Sequence, residues 1–406
     1  MSFLGVPPHT MPQHDFLTDQ LIPYIGNKRK LVGLIRRAIE HTGLVATAQP
    51  APVFFDAFAG SGAVSRLAKS LGFLVVSNDW EPYALHLATA YVATNRAPRF
   101  APLGGLRKTL ALLNNLPPER GYVARHYCPR DDEHPHPDRE RMFYTQENGR
   151  RIDAIRDHIE SWNRDHLLSP AELSVLLAPL IFQAAYVSNT SGVFKGWHRG
   201  WGGATRTAWY RIRSRLTLEP PVFFDNGLPN RALCADANLL APSVPCDLAY
   251  LDPPYNQHQY GSNYHLLNTI ALWDKPPLSP HYGLLGRRDK SAIRTDWRTS
   301  RRSPYCRRPT ALAAFTELLD ALRARWILVS YSTDGIIPLR ELASTLARHG
   351  KLDVVTSRYK RYRVSSQRPS SRGHTTEFVL IVRTGRAGSA ADVERVLKCI
   401  RGRQDP

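Results

Sequence analysis

Apolar positions along this chain follow two rhythms. Short unbroken runs read as buried strands: Val53-Phe54-Phe55, Phe73-Leu74-Val75-Val76, Leu248-Ala249-Tyr250-Leu251, and the segments 326–331 and 377–382. Between them the spacing lengthens to that of helices. Leu31, Leu34, Ile35 and Ile39 share one face, as do Val64, Leu67, Ala68 and Leu71. Residues 21–97 therefore predict two strand–turn–helix units, and the same rhythm resumes at 231–255. From 98 to 230 it breaks. Ile152, Ile155, Ile159 and Trp162 mark one helix there, and the apolar stretch 173–186 marks a longer one. The pattern predicts one α/β domain (21–97 with 231–395) carrying a largely helical insertion (98–230). It also predicts a flexible lead-in (1–20) and a short tail (396–406).

Composition narrows the class. The 406 residues are 43% hydrophobic, enough for a sizeable core. No apolar run reaches the length of a membrane span, and the N-terminus lacks the charged start and apolar run of a secretory signal. The cysteines (128, 234, 246, 306 and 399) are scattered with no Cys-x-x-Cys pair, which predicts a reducing compartment. A net charge of +19 points to a polyanionic partner, with nucleic acid ahead of a membrane.

Three turns carry the candidate chemistry. The first apolar run ends in Asp56-Ala57-Phe58-Ala59-Gly60-Ser61-Gly62, where glycines let a backbone approach a ligand closely. The strict dinucleotide fingerprint is absent. Asp79 ends the next run, near the ~20-residue spacing from the glycines at which an acid meets a ribose hydroxyl. It also suits a helix N-cap, and the two roles are compatible. Upstream, Tyr24-Ile25-Gly26-Asn27-Lys28 leads into a helix, and a lysine at a helix start is unfavourable unless an anion binds there. The third turn, Asp252-Pro253-Pro254-Tyr255, closes the run 248–251. Its prolines cannot continue a ladder and leave carbonyls free to accept from an amine. Taken alone, it also reads as an ordinary strand-ending turn.

In this order the three turns resemble those of the Dam-like, D12 class of N6-adenine DNA methyltransferases. The resemblance implies a Rossmann-like S-adenosylmethionine-dependent methyltransferase fold, its mostly parallel sheet closed by a C-terminal antiparallel hairpin. It implies S-adenosylmethionine as cofactor, held by Tyr24, Lys28, Asp56, Phe58, Gly60, Gly62, Asp79, Asp236 and Asp252. Lys28 then lies near the methionine carboxylate and Asp79 on the ribose. Asp252, Pro253, Pro254 and Tyr255 form the catalytic loop. Asn27 departs from the family's usual glycine, a mild change because Asn tolerates left-handed backbone. Double-stranded DNA is the implied substrate, in a cytoplasmic, prokaryotic-type setting that can include a cognate restriction endonuclease. N4-cytosine methylation is the alternative with the same chemistry, though that class more often has Ser where this chain has Asp252. A catalytically silent DNA-binding module is another.

The insertion lies where this class holds its target-recognition region. Its loop 189–213 mixes Lys195, Arg199 and Arg206 with Phe194, Trp197, Trp201 and Trp209, residue types that neutralise phosphates and stack on bases. A glycine-rich surface loop over a small aromatic core is the other reading. Arg361 and Arg363 belong to a basic stretch, 358–372, that grips phosphate or is simply solvated. Cys128 with His126, His134 and His136 fits no common zinc spacing, so no metal is expected. Cys246 precedes its strand and reads as a small core residue, not a nucleophile.

Overall fold

The structure is a computed structural model, and it describes residues 13–24, 26–44, 50–203, 206–278, 291–294, 296–360 and 374–402. A seven-stranded sheet runs through it in the order β3-β2-β1-β4-β5-β7-β6. The strands are β1 (Val53–Asp56), β2 (Leu74–Asp79), β3 (Arg231–Cys234), β4 (Cys246–Leu251), β5 (Ala324–Ser332), β6 (Lys351–Lys360) and β7 (His374–Arg383). β1 through β5 pair in parallel, while β7 runs antiparallel to β5 and β6. The expected mostly parallel sheet with an antiparallel C-terminal hairpin is therefore present.

The helices used below are α1 (Gln13–Thr18), α2 (Val32–His41), α3 (Ala63–Ser70), α4 (Pro82–Ala88), α5 (Gln146–Arg164), α6 (Pro170–Tyr186), α7 (His265–Leu272), α8 (Arg308–Ala321), α9 (Leu339–His349) and α10 (Ala390–Arg401). Alternating side chains send the sheet's two faces into separate layers. Phe54, Val75 and Leu248 meet Leu34, Ile35 and Ile39 of α2 and Leu67 of α3. On the other face Phe55, Val76 and Ala249 share a core with Phe315 of α8, Leu346 of α9 and Leu397 of α10. Burial on both faces explains why these strands read as continuous apolar runs.

The insertion builds a third core. Ile152, Ile155 and Ile159 of α5 and Leu176 to Ile181 of α6 pack with Leu87 of α4 and Leu266, Leu267 and Ile270 of α7. α6 begins in a capping box between Ser169 and Glu172, with Pro170 in its first turn. Buried Arg156 of α5 donates to the Ile270 carbonyl (2.8 Å) and the Ala271 carbonyl (3.3 Å) at the end of α7. The helical region thus recruits α7, which follows the Asp252 turn, and extends past residue 230.

Both expected ends differ. Phe16 of α1 is buried, and the guanidinium of Arg66 (α3) donates to the carbonyls of Phe16 (3.1 Å) and Asp19 (2.7 Å). Residues 13–20 are pinned because a buried guanidinium must find acceptors, and these carbonyls supply them. The expected tail is helical as far as Arg401, with Val396, Leu397 and Ile400 buried on the sheet. Among the described residues, no helix is long and apolar enough to cross a membrane. Nor does any group of three His, Cys, Asp or Glu there stand ready to hold a metal.

Candidate active site

β1 is flanked by β2 on one side and β4 on the other, so the strand order reverses between β1 and β4. Ligands of open parallel sheets bind outside the strand ends at such a reversal. A cleft of about 1000 Å³, counted with its open mouth, lies there. Its wall includes Tyr24, Lys28, Asp56, Phe58, Gly60, Asp79, Asp236, Asp252, Pro254 and Tyr255, residues drawn from all three turns. Gly62 and Pro253 are not part of that wall.

Gly62 instead stands at the start of α3 with φ +78°, a backbone that favours glycine. Gly60 (φ +54°) is constrained twice: a Cβ there would come 3.0 Å from the Tyr24 ring. That ring stacks on Tyr264 at 4.8 Å between centroids, so an aromatic pair closes over the turn. Asp79, at the end of β2, ties the turn from the other side. Its Oδ2 accepts from the Gly60 N–H (2.7 Å) and its Oδ1 from the Glu81 N–H (2.8 Å). Burial raises its pKa against those bonds.

Asp56 is fully buried and accepts from Ser65 Oγ at 2.6 Å. Burial pushes its carboxyl up to about 7, opposed by the Ser65 bond and reinforced by Asp252 and Asp79. Glu81 is likewise raised to about 7 by burial, and Asn268 of α7 donates to it at 2.5 Å.

The Asp252 turn faces the Lys28 turn. Lys28 Nζ lies 2.9 Å from Asp252 Oδ1 with only 5% of the lysine exposed. Burial alone would lower the Lys28 pKa. The charges of Asp252, Tyr255 and Glu377 outweigh it, so the ammonium is held well above its usual range. Burial raises Asp252, and Lys28 pulls it back toward the ionised form. Tyr255 stands edge-on to Tyr331 (5.9 Å), with Lys28 Nζ 5.3 Å from its ring centre. Gly26 (φ +75°) backs it: a Cβ there would come 3.0 Å from the Tyr255 hydroxyl.

Asp236 caps the short helix Ala237–Leu240 by accepting from the Asn238 N–H (2.9 Å). Phe58 meets Tyr305 edge-on at 5.4 Å. Tyr305 was not anticipated from sequence, nor were Trp80, Glu81, Tyr260 and Arg301, all on the wall. Arg301 donates to the Trp80 carbonyl (2.7 Å) and lies over the rings of Trp80 and Trp297. Trp80 and Glu81 had one available signal, their adjacency to Asp79.

The expected nucleic-acid contacts are more dispersed. Lys195, Arg199 and Arg206 are exposed, and Arg199 is ion-paired with Asp138. Phe194, Trp197 and Trp201 are buried core residues, so they are not base-stacking faces. Trp201 is fixed through its indole N–H to the Asp132 carbonyl at 2.8 Å. Arg361 and Arg363 lie outside the described residues. Cys246 opens β4, and burial pushes its thiol up to about 12, unlike a reactive nucleophile.

Comparison with known proteins agrees with this geometry. A family model described as D12 class N6 adenine-specific DNA methyltransferase matches residues 24–296. The chain is 32% identical over 351 residues to the Type II methyltransferase M.NlaIII of Neisseria lactamica, spanning 86% of this chain and 95% of that protein. It is 32% identical over 362 residues to the Type II methyltransferase M.FokI of Planomicrobium okeanokoites, spanning 88% of this chain but 52% of that one. Against the modification methylase LlaI of Lactococcus lactis subsp. lactis, identity is 30% over 374 residues, again with about half of the relative covered (54%). No solved structure matches the chain.

Proposed function

The chain belongs to the D12 class of N6 adenine-specific DNA methyltransferases, and from that premise we propose that the cleft at the β1/β4 reversal binds S-adenosylmethionine beside an adenine extruded from duplex DNA. The observation that carries this reading is the buried Lys28–Asp252 pair, which brings the first and third turns together at 2.9 Å.

The residues present fit the cofactor. The Gly60 turn offers bare backbone where a side chain would clash with Tyr24. Asp79 keeps unused acceptor capacity for ribose hydroxyls after its two backbone bonds. Phe58 and Tyr305 supply apolar ring surface for a purine, with Asp236 beside them. Lys28 has three donors, and Asp252 does not exhaust them, so a carboxylate can share the ammonium. When bound, S-adenosylmethionine supplies an electrophilic methyl group.

The chain's own residues do the rest. An adenine amine is a poor nucleophile because its lone pair is delocalised into the ring. The Asp252 carboxylate and the Pro253 carbonyl accept its two N–H groups and draw the nitrogen toward tetrahedral geometry. Burial raises the Asp252 pKa, and Lys28 at 2.9 Å opposes that and favours the ionised, acceptor-only carboxylate. Tyr255 offers a face to the base, held by Tyr331 and Gly26. No covalent enzyme intermediate is required, and positioning carries the rate. A base within a duplex is out of reach, so it leaves the stack first.

We assign target recognition to residues 98–230 together with α7, and backbone contact to Lys195, Arg199, Arg206, Arg361 and Arg363. The relatives' names describe Type II and modification methylases. By that likeness the enzyme acts in the cytoplasm at one DNA sequence, alongside a cognate restriction endonuclease. Calorimetry tests the cofactor site: S-adenosylmethionine should bind the wild type, and Asp79→Ala should weaken binding about tenfold, roughly one lost hydrogen-bonded contact. An unchanged affinity would reject the ribose role.

A further inference from the structure

A second groove opens beside the Asp252 turn, and its wall includes Arg302, Arg307 and Arg308. It shares Gln259 with the active cleft. Its floor is bonded to the catalytic loop, because the Ile336 N–H donates to the Tyr255 carbonyl at 3.1 Å. We propose that this groove grips the phosphate backbone of the DNA strand carrying the extruded adenine. The inference rests on the methyltransferase reading above and adds the surface that holds the strand.

Clustering on one groove wall sets these arginines apart. Several other exposed arginines are paired with acids, as Arg199 is with Asp138, Arg213 with Glu133, Arg340 with Glu394 and Arg395 with Asp353. Arg302, Arg307 and Arg308 are all exposed, and none forms an ion pair among the described residues. Asp334 is the acid on their wall, one carboxylate against three guanidiniums. Arg308 also opens α8, where the helix dipole disfavours a cation unless an anion lies near. Guanidinium forks match phosphate oxygens in geometry as well as charge.

Position supplies the substrate. A strand that delivers one base to Tyr255 must carry its neighbouring phosphates past the rim of the same loop, and this groove lies along that rim. Lys195 stands on the same flank, where its charge depresses the pKa of His258 after burial. The groove therefore adds the segment after the catalytic loop to the backbone contacts of the insertion.

The test is fluorescence anisotropy of a labelled duplex across a salt series. Wild type is compared with Arg302→Ala/Arg307→Ala/Arg308→Ala, with the corresponding triple Lys variant, and with Arg37→Ala/Arg386→Ala/Arg401→Ala as a charge-matched control. The Ala triple should flatten the slope of log affinity against log salt by about 2–3, at roughly 0.9 per lost phosphate contact. The Lys triple and the control should keep the wild-type slope, and S-adenosylmethionine affinity should be unchanged throughout. Single Arg→Gln variants, each expected to lose about 0.9 of slope, keep the test decisive should the triple misfold. A wild-type slope in the Ala triple, in an enzyme that still methylates DNA, overturns the groove alone. A wild type that neither binds nor methylates DNA overturns the functional reading and the groove with it.

Discussion

At the residue scale, the proposed mechanism turns on the balance between burial and Lys28 at Asp252. Its burial favours the neutral acid, which would offer a donor where the amine needs an acceptor. Lys28 opposes that at 2.9 Å. We expect Lys28→Met to move the acidic limb of the pH–rate profile to higher pH, because Asp252 then titrates with burial unopposed. An unshifted limb in single-turnover assays would separate the two residues. Asp56 gives a linked prediction for stability. Its folded pKa, about 7, lies above its ordinary value of 3.8, so the folded state binds the extra proton in that window. Its contribution is therefore fully present at low pH and is lost as pH rises through about 7. Asp56→Asn should gain stability relative to wild type at pH 8 and little at pH 4, read from urea melts of the cofactor-free enzyme. Tyr255→Phe should retain methylation, since the ring supplies the face. Tyr255→Ala should lose about 1–3 kcal/mol of base stacking, and equal rates for the two would remove the stacking role.

At the element scale, the strand-to-turn junctions do the positioning. Gly60→Ala meets both a left-handed backbone and the Tyr24 ring at 3.0 Å. We expect it to weaken S-adenosylmethionine binding at least tenfold by calorimetry with the fold intact by circular dichroism. Arg66→Met should cost about 2–4 kcal/mol, because it removes charged bonds to backbone carbonyls inside the protein. Limited proteolysis should then cut near Gln20. These elements were legible in sequence to different degrees. β1, β2 and β4 were plain because strands buried on both faces leave unbroken apolar runs bounded by Gly, Asp or Pro. α10 was hidden because the chain had no further strand pattern to dock it against. Phe194, Trp197 and Trp201 misled because composition does not separate an aromatic that stacks on a ligand from one that fills a core. Arg301 and Tyr305 reach the cleft from a polar connection with no periodic signal, and only tertiary packing brings them there.

At the scale of the whole molecule, the helical region and the sheet meet at the cleft. α4 and α7 belong to the insertion's core, yet Glu81, one residue before α4, and Asn268, within α7, bond across the cleft wall. On the proposed reading, a target bound by the insertion would bear directly on the side of the cleft assigned to the cofactor. Net charge of +19 suits a polyanionic substrate, and its useful part is where arginines lack acidic partners. The most direct test is single-turnover transfer of a labelled methyl group from saturating S-adenosylmethionine to a substrate duplex, by wild type and by Asp252→Ala, with the product nucleosides separated by mass spectrometry. The account predicts N6-methyladenine from the wild type and a rate at least a thousandfold lower from the variant, with the cofactor still bound. An Asp252→Ala enzyme that makes N6-methyladenine at the wild-type rate would contradict it.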